Sequence, residues 1–335
     1  MAKVTKAFQS LADSATQGIK QPLSSFADVS ERVPATVFDT FRKLMNPQHS
    51  IDVATDFAQR SMNAARSSML PANIATAIEE IRNKSEVLFF VTQNRRILNI
   101  PSPAPVPFPL PELVEKCYDR RDFPALWTIE DLGHAYGNSF FDRNIEPSGI
   151  LKEDMEATLP AKSLTILHAG IGLSFANKLL RGADSNTPKS ELKDAIDRFV
   201  TLCHENSQKG YEGAALESVG LVVRTWHSDL VSAIDGILEA SDSAEELRGY
   251  FWHGVGRALY FLPINFLPFS DWQIFETVQR EAPKEYLNSA LAGVAWAFVL
   301  VNNKSPQVLS PTCSWWNMAR TWRKNPDSSM ASSQP

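Results

Sequence analysis

Cysteine is scarce in this sequence of 335 residues: Cys117, Cys203 and Cys313 lie far apart. An odd number of widely spaced cysteines forms neither a disulfide framework nor the paired spacing of a zinc site. The sequence also lacks the run of roughly 20 apolar residues that a membrane helix needs, since Asn288 interrupts its most apolar stretch, 287–301. No apolar signal segment follows the start. We therefore expect a globular protein of a reducing, cytoplasmic compartment.

Motifs for metal, nucleotide and nucleophile chemistry are missing as well. The sequence contains no His-Glu-x-x-His, no paired-Cys motif and no Gly-x-Ser-x-Gly. Gly254-Val-Gly256 follows no predicted strand, which excludes a dinucleotide-binding fold. The net charge of −5 gives no reason to expect nucleic acid as a partner. Apolar residues make up 44% of the chain, so a sizeable core is available.

Glycine is nearly absent from the first 130 residues and then recurs with a period. Only one of the fifteen glycines precedes Gly133. A glycine motif then returns about every forty residues, around Gly170, Gly213, Gly254 and Gly293. A period near forty is typical of stacked helix pairs. We therefore predict an all-α fold, a helical repeat of about 40-residue helix pairs that forms a solenoid or a toroid.

Proline and composition divide the chain into four segments. Prolines at alternate positions from 101 to 111 remove backbone donors and predict an extended spacer. We therefore predict an N-terminal helical arm over residues 1–98, a proline-rich linker over 99–111, an α-helical repeat domain over 112–324 and a disordered tail over 325–335.

Helix start and stop signals recur throughout the predicted repeat domain. They predict one continuous helix over 212–224, a helix that begins at a capping box at 243–246 and ends at Tyr260, and a last long helix over 286–301. The short apolar run 87–91 is compatible with a strand or with a buried helical turn, because periodicity cannot decide over five residues.

Glycines inside helices need an explanation, because each costs about 1 kcal/mol relative to alanine. Either neighbouring helices approach closely at each glycine, or a ligand lies against the bare backbone. Close approach explains the regular period without any function. Under the second explanation, the glycine-bearing helices line a groove that holds an apolar molecule or a partner helix. Its candidate residues are Gly172, Glu212, Trp252, Gly256, Tyr260 and Trp296.

Imidazole and carboxylate side chains recur beside the glycines. If the glycine-bearing helices line one side of the array, His168, Glu217 and His253 converge as acid–base groups or metal ligands, with Arg257 stabilising an anion. A lone histidine on an apolar helix is more often a hydrogen-bonded core residue than a ligand. Both interpretations stay open at this point.

A weak metal site is suggested by a fainter, earlier copy of the motif around Gly133. Glu130 and His134 are four residues apart, which places them on one helical face with the spacing of a pair of metal ligands. Because no complete metal signature is present, the cofactor is left open between none and a single metal ion.

The motifs have one family resemblance. His253-Gly-Val-Gly-Arg-Ala-Leu-Tyr-Phe, followed about thirty residues on by Leu291-Ala-Gly-Val-Ala-Trp-Ala, resembles a family of uncharacterised helical proteins encoded beside enediyne and related polyketide clusters. His168-Ala-Gly-Ile-Gly-Leu and Tyr211-Glu-Gly-Ala are similar to upstream copies in that family. The likeness covers roughly residues 125–305. It implies a role beside natural-product or lipid-like metabolism and supplies no catalytic residues.

Three hypotheses for function follow. The first is an accessory or binding protein that holds a small apolar molecule or a partner protein in the groove. The second is a metal-dependent or acid–base enzyme. The third is a membrane-surface scaffold with peripheral lipid contact through the arm, which carries a small excess of Lys and Arg, and through Trp315, Trp316 and Trp322 near the C-terminus.

Overall fold

The structure is all-helical wherever it is described. The computed structural model describes residues 72–92, 98–100, 108–119, 121–152, 159–241, 244–262, 265 and 271–309. These residues contain helices and no strand, and they belong to one compact unit that spans Thr55–Pro335. The all-α prediction is confirmed. No helix among the described residues has both the length and the apolar character needed to cross a bilayer.

The described residues contain eleven α-helices. In chain order they are α1 Ala72–Thr92, α2 Leu110–Tyr118, α3 Asp122–Phe141, α4 Ala161–Leu179, α5 Lys189–Asn206, α6 Glu212–Leu216, α7 Ser218–Trp226, α8 Val231–Leu238, α9 Ala244–Tyr260, α10 Asp271–Glu281 and α11 Leu287–Asn302. A single 3₁₀ turn, Ser228–Leu230, joins α7 to α8.

Proline and glycine set several of these boundaries. Pro109, Pro160 and Pro188 each stand immediately before a helix, where the missing amide hydrogen leaves no bond unmade. Gly182 after α4 and Gly210 after α5 have φ values of +81° and +91°, a left-handed conformation that favours glycine. Proline therefore marks where three of the helices begin, and glycine lies in the turns that follow α4 and α5.

The helices that carry the glycine motif contact one another in chain order. Helix α3 packs on α4, α4 on α6 and α7, α7 on α9, and α9 on α11. Helix α1 contacts both α11 and α3, so the series of contacts returns to its first member. Their buried side chains form one continuous apolar core.

Helix α1 belongs to this helical unit, although the sequence placed it in a separate arm. Val87 is buried, and Asn83 Nδ2 donates hydrogen bonds to Asn302 Oδ1 and to Ser305 Oγ, both at 3.0 Å. The predicted boundary after residue 98 is therefore wrong for residues 72–92. The buried face of α1 includes polar residues, which made the helix look like a solvated extension. The run 87–91 is helical.

The helix start and stop signals predicted the bounds of α11 but missed the break between α6 and α7. The predicted helix over 212–224 is divided at Glu217, where the amide of Gly220 bonds the Glu217 carbonyl at 3.1 Å in a tightened i→i+3 turn. Helix α11 lies within one residue of its predicted bounds. Residues 1–71, most of the proline-rich linker, Ser243 and the tail after 309 lie outside the described residues.

Candidate functional site

The glycines of the motif lie where helices cross. A Cβ atom added to Gly170 would lie 2.0 Å from the carbonyl oxygen of Glu130, and one added to Gly254 would lie 2.1 Å from that of Glu217. A Cβ atom on Gly293 would lie 1.9 Å from the carbonyl oxygen of His253. Backbone atoms occupy the space that a side chain would need, so close helix approach explains these glycines.

The space beside two glycines that were predicted to contact a ligand is filled in the same way. A Cβ atom on Gly172 would lie 2.2 Å from the Ala215 carbonyl oxygen, and one on Gly256 would lie 1.9 Å from that of Ala290. Both glycines are buried against the backbone of the next helix. Their prediction as ligand-binding residues is therefore wrong, because the neighbouring helix fills the gap that glycine leaves.

The other predicted groove residues do not line a common groove. Trp252 is buried, and its Nε1 donates to Asp235 Oδ1 at 2.8 Å. Tyr260 is buried, and its hydroxyl donates to a carboxylate of α1. Glu212 accepts a hydrogen bond from the Gly210 amide at 2.7 Å. These contacts serve packing and a turn, and Trp296 alone of this group contacts the charged cluster described below.

His168 is a core residue. Its Nδ1 donates to the Leu164 carbonyl at 2.7 Å, its Nε2 accepts from the Gln208 amide at 3.1 Å, and its ring stacks on Tyr211. Burial lowers the pKa of His168 below its ordinary value, against weaker raising effects of the Leu164 carbonyl and Glu212. A neutral imidazole has one donor and one acceptor, and these two hydrogen bonds use both. This geometry favours the core interpretation of His168 over an acid–base role.

Four other predicted residues do converge. Arg257 of α9 pairs with Glu130 of α3 through one terminal nitrogen and with Glu217 Oε1 through the other, the latter at 3.1 Å. His253 Nδ1, one turn earlier on α9, lies 3.1 Å from Glu217 Oε2. The guanidinium carbon of Arg257 lies 4.4 Å from the ring centroid of Trp296 on α11. We refer to Glu130, Glu217, His253 and Arg257 as the charged cluster.

Two members of the charged cluster, Glu217 and Arg257, keep their charges despite burial. Burial raises the pKa of Glu217, but Arg257 and His253 more than offset this effect and hold the pKa below its usual value. Burial likewise lowers the pKa of Arg257, while Glu130 and Glu217 raise it above the ordinary value. The Nε atom of Arg257 is buried and makes no hydrogen bond to the described residues. Glu217 and Arg257 thus form an ionised pair, and Arg257 has one donor without a partner among the described residues.

Glu130 and His134 do not form the predicted metal site. The Glu130 carboxylate pairs with Arg257, whereas His134 Nε2 lies 3.1 Å from Asn138 Nδ2 and 3.3 Å from Asn177 Nδ2. Within the described ranges, no three His, Cys, Asp or Glu side chains are grouped as metal ligands. Because Arg257 pairs with the Glu130 carboxylate, this geometry does not support a metal site shared by Glu130 and His134.

A cleft that sequence reasoning missed lies between α3, α4 and α11. It has a volume of about 320 Å³. Its lining residues, which we call the cleft residues, are Tyr118, Asp122, Phe123, Leu126, Ile129, Lys162, Ile166, Leu300 and Asn303. The spacing of Phe123, Leu126 and Ile129 marks one face of α3 and was the available signal. The cleft residues on α4 and α11 are distant from this face of α3 in the sequence, so no local pattern predicted the cleft.

Polar groups are confined to the rim of the cleft. Lys162 Nζ lies 3.0 Å from Asp122 Oδ1 and 3.9 Å from the ring centroid of Tyr118, and both members of this ion pair are exposed. Asn303 contributes an exposed amide. Ile129 and Ile166 are buried in the cleft wall. The cleft is therefore apolar inside, with hydrogen-bonding groups at one edge.

The comparisons with known proteins give no relative for this chain. No family model matches the sequence, and neither the curated proteins nor the solved structures include a match. The resemblance of the glycine motifs to the family encoded beside enediyne clusters stays a prediction.

Proposed function

We propose that this protein binds a small, mainly apolar molecule in the cleft between α3, α4 and α11, and that it acts as an accessory binding protein of natural-product or lipid-like metabolism. The observation that carries the proposal is the apolar cleft with its polar rim. All three helices carry the glycine motif, as the groove hypothesis requires, although their side chains rather than their glycines form the wall.

The size and lining of the cleft support a small-molecule occupant. Ligand sites in proteins commonly have volumes of about 300–1,000 Å³ and combine apolar walls with a few polar groups that fix orientation. The cleft volume of about 320 Å³ lies at the lower end of that range. A compact hydrocarbon or polyene skeleton matches these dimensions better than a partner helix, which needs a long continuous groove.

The rim defines the polar part of the ligand. Because Lys162 is already paired with Asp122, the rim has no net charge to attract an anion. The Asn303 amide offers both a donor and an acceptor. We therefore expect an uncharged ligand with a hydroxyl or carbonyl group at one end.

The family resemblance and the spacing of the motif support the proposed role in natural-product or lipid-like metabolism. The roughly forty-residue period is interpreted as a helical repeat in which α3, α4, α6 with α7, α9 and α11 are successive copies. In this interpretation the cleft lies where the first two copies meet the last. A biosynthetic accessory protein needs such a site to hold a water-insoluble molecule.

Titration with diphenylhexatriene, an apolar polyene that fluoresces only outside water, tests the proposal. Leu126 is half-buried in the cleft wall, so Leu126→Trp fills open space there. We expect saturable binding to the wild type and affinity at least about ten-fold weaker for Leu126→Trp, because the ligand loses buried apolar contact. Leu173→Trp, the same change at a half-buried leucine of α4 outside the cleft, is the matched control.

Three results would contradict the proposal: no saturable binding to the wild type, equal affinity in Leu126→Trp, or equal loss in Leu173→Trp. Thermal unfolding of all three proteins shows whether the substitutions leave the fold intact.

A further inference from the structure

The side chains of the charged cluster become more exposed from one end of the cluster to the other. Side-chain exposure is 3% for Arg257 and 4% for Glu130, then rises to 12% for Glu217 and 24% for His253. The fixed positive charge therefore lies at the buried end and the imidazole at the accessible end. Glu217 connects them, with one carboxylate oxygen on each partner.

The orientation of His253 differs from that of a structural histidine. His168 uses both ring nitrogens in hydrogen bonds, whereas His253 makes a polar contact only through Nδ1 among the described residues. Because Glu217 is ionised, Nδ1 carries the proton that this contact needs. The lone pair of the neutral ring is then on Nε2, the nitrogen that faces away from the carboxylate.

The groups around His253 favour an uncharged reactant. The titratable groups that contact it or its carboxylate are Glu217 and, through Glu217, Arg257 with Glu130. Helix α11, which packs against the His253 backbone, contains no titratable residue. Both terminal nitrogens of Arg257 are paired and its face is covered by Trp296, so no cation is available to bind an anionic group there.

We propose that His253 is a general base oriented by Glu217, and that its Nε2 takes a proton from an uncharged molecule with a weakly acidic C–H or O–H bond. The bond to hydrogen breaks, its electron pair stays on the reactant, and the proton forms the second N–H of an imidazolium. Glu217 stabilises this cation, and Arg257 with Glu130 holds the Glu217 carboxylate in place. Glu217 is thus a positioning residue.

This activity is independent of ligand binding in the cleft. None of Glu217, His253 and Arg257 is a cleft residue. Failure of one proposal therefore leaves the other standing, and variants of one site act as controls for the other.

Elimination of nitrobenzisoxazole tests the base directly with the full-length protein. This reaction needs no co-reactant: a base removes the ring C–H proton, the electron pair forms a nitrile, and the N–O bond breaks to give a phenolate that absorbs visible light. We expect the wild type to exceed His253→Gln by about ten-fold or more, within the range general bases contribute. His204→Gln, which removes an exposed histidine of α5, should keep the wild-type rate.

Two further measurements separate a base from a merely structural histidine. Added imidazole should restore the rate of His253→Ala. In Glu217→Gln the pH midpoint of the rate should move to lower pH with a lower plateau, because loss of the neighbouring negative charge disfavours the imidazolium. Equal rates for wild type and His253→Gln, with both folded, would overturn the proposal. So would a failed imidazole rescue or an unchanged midpoint in Glu217→Gln.

Discussion

At single positions, the absence of a side chain sets how closely the helices approach. The nearest backbone atoms to the missing Cβ of Gly256 belong to Ala290 on α11, and the oxygen lies only 1.9 Å from the Cβ position. Backbone cannot move as a flexible side chain does. A methyl group at this position therefore pushes α9 and α11 apart along their whole contact.

A pair of alanine substitutions tests this explanation. Gly256→Ala should lower the free energy of unfolding by about 2 kcal/mol or more, because overpacking outweighs the gain in helix propensity. Gly236→Ala on α8 is the control, because no atom of the described residues lies within 4 Å of its Cβ position. There the same change should raise stability by about 0.5–1 kcal/mol. Denaturant unfolding measures both, and equal effects would contradict the packing explanation.

The sequence predicted part of the charged cluster for a physical reason. Glu217, His253 and Arg257 each stand within three residues of a glycine where helices cross, and such crossings bring neighbouring side chains together. His168 also stands close to such a glycine, Gly170, but its ring accepts a hydrogen bond from the Gln208 amide. Periodicity specifies the helix face of a residue and leaves its hydrogen-bond partner undetermined, so the two histidines could not be separated from sequence.

Among the elements, α1 is the one whose role the sequence concealed. Its buried residues include Glu80, Asn83 and Lys84, which composition places at a surface. Lys84 Nζ bonds the Asn265 carbonyl at 2.8 Å, and Glu80 accepts the Tyr260 hydroxyl at 2.8 Å. The apolar period that identifies a core helix was therefore weak, although α1 joins α3 to α11.

Neighbouring substitutions on α1 test its place in the core. Asn83→Ala should lower the free energy of unfolding by about 2–3 kcal/mol, because it leaves buried groups of Asn302 and Ser305 with fewer partners. Arg82→Ala is the control, since 38% of the Arg82 side chain is exposed and its one ion pair among the described residues is with Glu79 of the same helix. Its effect should stay within about 0.5 kcal/mol. Thermal or denaturant unfolding measures the effect of both substitutions. A small effect of Asn83→Ala would place α1 outside the cooperative core.

For the molecule as a whole, helix type and order were predictable, and the cleft was not. The period of the glycine motif and the proline boundaries specify helices locally. The cleft requires Leu126, Ile166 and Leu300 to meet, and these residues come from helices distant in sequence. Helix α1, which contacts both α11 and α3, closes this series of helices, and no local pattern encodes that contact.

Native mass spectrometry of the protein purified from its own host tests the central claim, ligand binding in the cleft, most directly. The account predicts an uncharged organic adduct in stoichiometric amount on the wild type, released on denaturation and absent from Leu126→Trp, because that side chain occupies the cleft. Leu173→Trp should keep the adduct. A bare polypeptide mass for the wild type, or an adduct retained equally by Leu126→Trp, would contradict the account.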